Sequence, residues 1–110
     1  MGELLKYIEL IMNDLGHTRY SLRPELIQTA GKATTTVNGG SDLYVLASAF
    51  MQTTTPLNGQ IFGANNAFDL IGVNLSTVLY KHQVFKENIR IVNSSDDLLY
   101  TEFIIVSPTP

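Results

Sequence analysis

Leu4, Leu5, Ile8, Ile11, Met12 and Leu15 recur at the three-and-four spacing of one helical face, which predicts an amphipathic α-helix over residues 3–15. Glu3, Lys6, Glu9, Asn13 and Asp14 fill the opposite side, and Gly16 stands where a left-handed C-cap would end the helix. Tyr7 and Leu10 widen the apolar stripe beyond what a small surface helix needs. The stripe therefore has two readings, packing on the chain's own core or facing another subunit. Under the second, Leu4, Ile8, Ile11 and Leu15 are the candidate assembly face.

Past Gly16 the helical period stops, and residues 17–25 read as a connector because Arg23 precedes Pro24 and is pushed out of the helical region. A β body is expected over about residues 26–106. Thr34 to Val37 is a β-branched run entering Asn38-Gly39-Gly40, a turn signal that predicts a hairpin. Residues 43–52 read as a strand packed on both faces, with a helix as the competitor. The triplets Thr34-Thr35-Thr36 and Thr53-Thr54-Thr55, each running toward Asn-Gly, look like pseudo-equivalent strand ends suited to exposed sheet.

Residues 57–72, with Gly59, Gly63, Gly72, Asn58, Asn65 and Asn66 around isolated apolar residues, read as a long ordered loop. Residues 73–80 and 84–92 are strand-like, with Lys81-His82 near their junction. Residues 93–97 form a polar turn, and residues 98–106 are the most apolar strand, apolar on both faces, before Pro108 and Pro110 stop pairing. The last two strands are expected to pair as a hairpin. One helix and about six short strands predict a mainly β domain spanning residues 1–110, a small antiparallel β-sandwich or barrel.

Composition narrows the chemistry. At 110 residues the chain can bury a core without staples, and the absence of cysteine excludes disulfides and thiolate chemistry. A net charge of −3 with scattered basic residues gives no footprint for nucleic acid. No apolar run reaches the roughly 20 residues of a membrane helix, and Met1-Gly2-Glu3 lacks a basic signal-peptide start. His17 and His82 lie in no ligand-spaced cluster, so no metal is expected. Gly59, Gly63 and Gly72 lack the Gly-Lys-Ser/Thr ending of a phosphate cradle, so no nucleotide cofactor is expected either. Asn74 and Asn93 head glycosylation-type triplets, which a chain this rich in Asn and Ser meets by chance.

The Thr triplets, the Asn-Gly turns and the stretch Asn58-Gly59-Gln60-Ile61-Phe62-Gly63-Ala64-Asn65-Asn66 resemble, over roughly residues 34–106, small structural proteins of bacteriophage virions of the capsid-decoration or head-fibre base type. That resemblance implies a non-enzymatic homo-oligomer in the virion, bound to other virion proteins and made in the host cytoplasm, with no cofactor. It carries over no site residue. A ligand- or carbohydrate-binding β-module is the first alternative, its pocket lined by the 57–72 loop through Asn amides and Phe68. The second is a small carboxylate enzyme drawing on Asp69, Glu87, Asp96, Asp97 or Glu102, which needs two of these to converge in a cleft.

Overall fold

The computed structural model describes residues 2–72 and 83–109. Helix α1 (Gly2–Asp14) is followed by strands β1 (Tyr20–Thr29), β2 (Thr34–Met51), β3 (Leu57–Phe62), β4 (Ala67–Gly72), β5 (Val84–Asn93) and β6 (Leu99–Pro108). The strands form one antiparallel sheet in the order β1-β6-β2-β5-β3-β4. The chain is mainly β with one N-terminal helix, as its pattern predicts.

The helix ends as its residues dictate. Gly16 takes a φ of 78°, its N–H bonds the Asn13 carbonyl at 3.0 Å, and the His17 N–H bonds the Met12 carbonyl at 2.8 Å. Those two bonds are the paired closure of a Schellman cap, which a residue with a Cβ would strain at the glycine position.

The long strand β2 sets the architecture. Its first part pairs with β5 (Thr34↔Val92 to Val45↔Val84) and its second part with β6 (Leu43↔Val106 to Met51↔Leu99). Straight, its 18 residues would span about 56 Å, yet the longest dimension of the molecule is 42 Å. The chain between Asn93, beside the start of β2, and Leu99, beside its end, can reach only about 20 Å. Strand β2 must therefore bend back, and it does so where it advances from Asn38 to Leu43 while β5 moves only from Asn88 to Lys86. A second register shift lies between Leu46 and Ser48. Bulges of this kind kink a strand and raise its twist.

Folding the sheet on β2 gives two layers over one core. Leu46, Met51, Leu57, Ile61, Leu70, Phe85, Ile91, Phe103 and Ile105 meet between them. Tyr44 lies edge-on to Phe103, as does Phe85. The Thr29 and Thr35 hydroxyls, 2.8 Å apart, join the end of β1 to the start of β2 and draw one end of the sheet toward closure. On the outer face of β2 and β6, Leu4, Ile8 and Met12 of α1 cover Leu43, Val45, Ile104 and Val106. Both faces of β6 are thereby buried within a single chain.

Four expectations are overturned. Residues 57–72 form the β3–β4 hairpin and not a loop: Gly59 is there because a Cβ would sit 2.0 Å from the Val92 carbonyl oxygen, which the β3–β5 pairing brings onto it. Asn38-Gly39-Gly40 makes no hairpin turn, since β2 runs through it as a bulge. Residues 20–29, read in part as connector, form strand β1. Finally β5 and β6 are not neighbours, because β2 lies between them. The strand expected over residues 73–80, with Lys81-His82, lies outside the described residues.

Opposite the β2 bulge, the exposed Glu87 holds a φ of 65°. A non-glycine residue there costs about 1 kcal/mol, so Glu87→Gly should leave the melting temperature unchanged or raise it. Glu87→Val, branched at Cβ, should lower it. Thermal unfolding of the two variants in parallel checks the contrast.

Candidate functional site

Four of the five proposed carboxylates have partners of their own, none of them shared with another carboxylate. Asp69 accepts from Gln60 Nε2 at 2.7 Å on the β3–β4 surface. Glu102, on the outer face of β6, accepts from Ser48 Oγ at 3.3 Å. Asp97 accepts from the hydroxyls of Thr53 and Thr55, whereas Asp96 reaches Lys32 at 3.9 Å in solvent. Glu87 is exposed at the bulge. Among the described residues no group of three or more His, Asp or Glu could hold a metal ion.

The two threonine triplets are not equivalent. Thr34-Thr35-Thr36 begins β2, while Thr53 and Thr55 belong to the connection after it and grip the 94–98 turn through Asp97. Asn93, which heads a glycosylation-type triplet, is buried, and its Nδ2 donates to the carbonyls of Thr29, Ala30 and Asp97. A glycan on that nitrogen is incompatible with this arrangement. Asn74 and His82 lie outside the described residues. No helix among the described residues is long and apolar enough to cross a membrane.

Of the candidate assembly face, Leu4 and Ile8 are buried against the sheet, Ile11 is half-buried at its edge, and Leu15 is 54% exposed. Two other surfaces stand out.

The first is the sheet edge at β1, which pairs only with β6 among the described residues. Thr109 N–H donates to the Arg19 carbonyl at 2.9 Å next to the Tyr20↔Pro108 pair. Main-chain groups alternate in direction along a strand, so the even positions from Tyr20 to Gln28 turn theirs away from β6. Pro24 falls on this outward set, where its missing N–H leaves no ladder bond unmade. The side chains of the same positions lie on the helix face, since Tyr20 packs beside α1 and Leu22 and Pro24 oppose Val106 and Ile104. Leu22 is 40% and Leu26 49% exposed there. Leu5, also partly exposed, lies on the flank of α1 opposite Ile11. On the inner face of β1, Glu25 and Arg23 act on the Tyr44 phenol, which burial raises above its ordinary range. The Glu25 carboxylate adds to that rise, Arg23 opposes it and Asp42 adds again.

The second surface, on the Ile11 flank, is an open groove of about 330 Å³ between α1 and the start of β5. Ile11, Leu15, Leu43 and Val84 line it with Lys86 and the turn of the β3–β4 hairpin. Of the residues 57–72 expected to line a pocket, Asn65 and Asn66 of that turn border this groove, Asn58, Gly59, Gln60, Asp69 and Ile71 line a separate open concavity of about 280 Å³ with Ser94, and Phe68 packs on the core instead. The signal for the groove was present in the helix, where Tyr7, Ile11 and Leu15 extend the stripe to one side. Its other wall comes from a long-range pairing that no local pattern encodes. Compared with family models, curated proteins and solved structures, the chain matches none.

Proposed function

We propose that the chain is a non-enzymatic structural component of a virus particle, acting through contacts with copies of itself and with other virion proteins. The observation that carries the contact role is the exposed apolar row Leu22, Pro24 and Leu26 on β1. Partly exposed apolar side chains grouped on one face favour protein contacts. Pro24 at the same time blunts open-ended strand addition at that edge, which suits a protein packed at high local concentration. The virion setting rests on the compositional resemblance. The two-faced apolar character of β6 adds nothing to this reading, since α1 covers its outer face. Closed symmetry is the usual outcome for identical chains.

Sedimentation or light scattering at micromolar concentration tests the proposal. A trimer or higher assembly is expected, and Leu22→Glu with Leu26→Glu should reduce it to monomers of unchanged melting temperature. A wild-type chain that is strictly monomeric and binds no capsid or tail component would overturn the reading. It would promote ligand binding, the alternative that the groove beside α1 favours.

A further inference from the structure

We propose that the groove between α1 and β5 binds an amphipathic monocarboxylate of the fatty-acid class, head group at Lys86 and tail on Leu15. Small-molecule sites are concave and mostly apolar, with a few polar groups that fix orientation, and they run from about 300 to 1,000 Å³. At about 330 Å³ this groove is at the small end, the size for one acyl chain. Ile11, Leu43 and Val84 make its floor, and Leu15, 54% exposed, is the apolar surface that a bound tail would remove from water.

The polar lining selects the charge. Asn66 is committed, its Nδ2 donating to the Val84 carbonyl at 2.8 Å to hold the hairpin turn against β5. Ala64 N–H bonds the Lys86 carbonyl at 3.1 Å, which fixes the Lys86 backbone beside that turn. The Lys86 ammonium forms no ion pair among the described residues. With no ion-pair partner among the described residues, the exposed Lys86 ammonium at an apolar groove offers a carboxylate its complement and repels a cationic head group placed there. Asn65 on the same rim supplies an amide donor. Orientation follows from the helix: Leu15 stands at the negative C-terminal end of α1, which repels an anion, so the carboxylate goes to Lys86.

The test titrates the full-length protein with decanoate and, separately, with decyltrimethylammonium, following backbone amide shifts by NMR. Decanoate should give saturable shifts centred on Leu15, Leu43, Val84 and Lys86, with affinity falling about twofold to fourfold for each methylene removed. Decyltrimethylammonium should bind at least tenfold more weakly. In Lys86→Glu, an exposed position whose melting temperature should not move, the preference should reverse. Absence of saturable shifts at these amides with decanoate below its micelle concentration would overturn the proposal. So would a head-group preference that Lys86→Glu leaves unchanged. Because both readouts are binding to single chains, they are independent of whether the protein assembles.

Discussion

Ile8→Asp is expected to leave the protein largely unfolded, or with α1 detached, at room temperature. Ile8 is 1% exposed at the centre of the helix-to-sheet contact. Truncating such a side chain costs about 2–5 kcal/mol through lost burial and the cavity left behind. The aspartate adds the expense of a charge placed among Val45, Ile104 and Val106 with nothing there to pair it. The sum is of the order of the whole stability of a small domain, about 5–15 kcal/mol. Detaching the helix gives no escape, since it bares the outer faces of β2 and β6, and the variant should then aggregate. Leu10→Asp is the control: Leu10 is 62% exposed on the same helix, and its replacement should stay within about 0.5 kcal/mol of wild type. Circular dichroism melting of the two variants decides the matter. An Ile8→Asp protein that melts with wild type would show that α1 is not anchored to the sheet.

What the sequence disclosed and what it concealed divide along physical lines. The helix was legible because its period, its polar face and its glycine cap are all local signals, and the cap formed on the predicted residue. Strand β6 was legible as a two-faced apolar run, and the structure covers one face with the helix and the other with the opposing layer. Strand β1 was hidden by Pro24, which disqualifies a central strand. On an edge, at a position facing away from β6, it disrupts nothing. The β3–β4 hairpin was hidden because glycine and asparagine signal loops locally, whereas Gly59 answers to a carbonyl of β5 far away in sequence. The same limit applies to the groove and to the scattered carboxylates. Each depends on the bend of β2 and on the insertion of β2 between β5 and β6, which are long-range pairings.

The residue most misjudged by local pattern is Asn93, which reads as the start of a solvated turn. Its replacement is expected to be among the most damaging single changes outside the apolar core. Asn93 is 1% exposed, and its Nδ2 serves the carbonyls of Thr29, Ala30 and Asp97 at 3.0, 3.1 and 2.7 Å. Its Oδ1 accepts from the Ser95 N–H at 3.0 Å and from the Ser95 hydroxyl at 2.6 Å. One side chain thus ties the end of β5 to the β1–β2 turn and to the turn leading into β6. Asn93→Leu strips buried carbonyls and an N–H of their partner at about 1–3 kcal/mol per group left unsatisfied. Relaxation will recover some of these, so a loss of about 3–5 kcal/mol is expected in urea unfolding. Asn93→Asp supplies a sharper test, because its ionised carboxylate keeps the acceptor but turns negative charge on three carbonyl oxygens. The folded state then favours the protonated acid, so the folded pKa rises above the unfolded value of about 3.9. Stability relative to wild type should be greatest below that value and fall as pH rises through the higher folded pKa. Asn93→Leu carries no such titration, and its deficit against wild type should be flat with pH. Equal and pH-independent losses in the two variants would show that the Nδ2 donors do not hold these turns together.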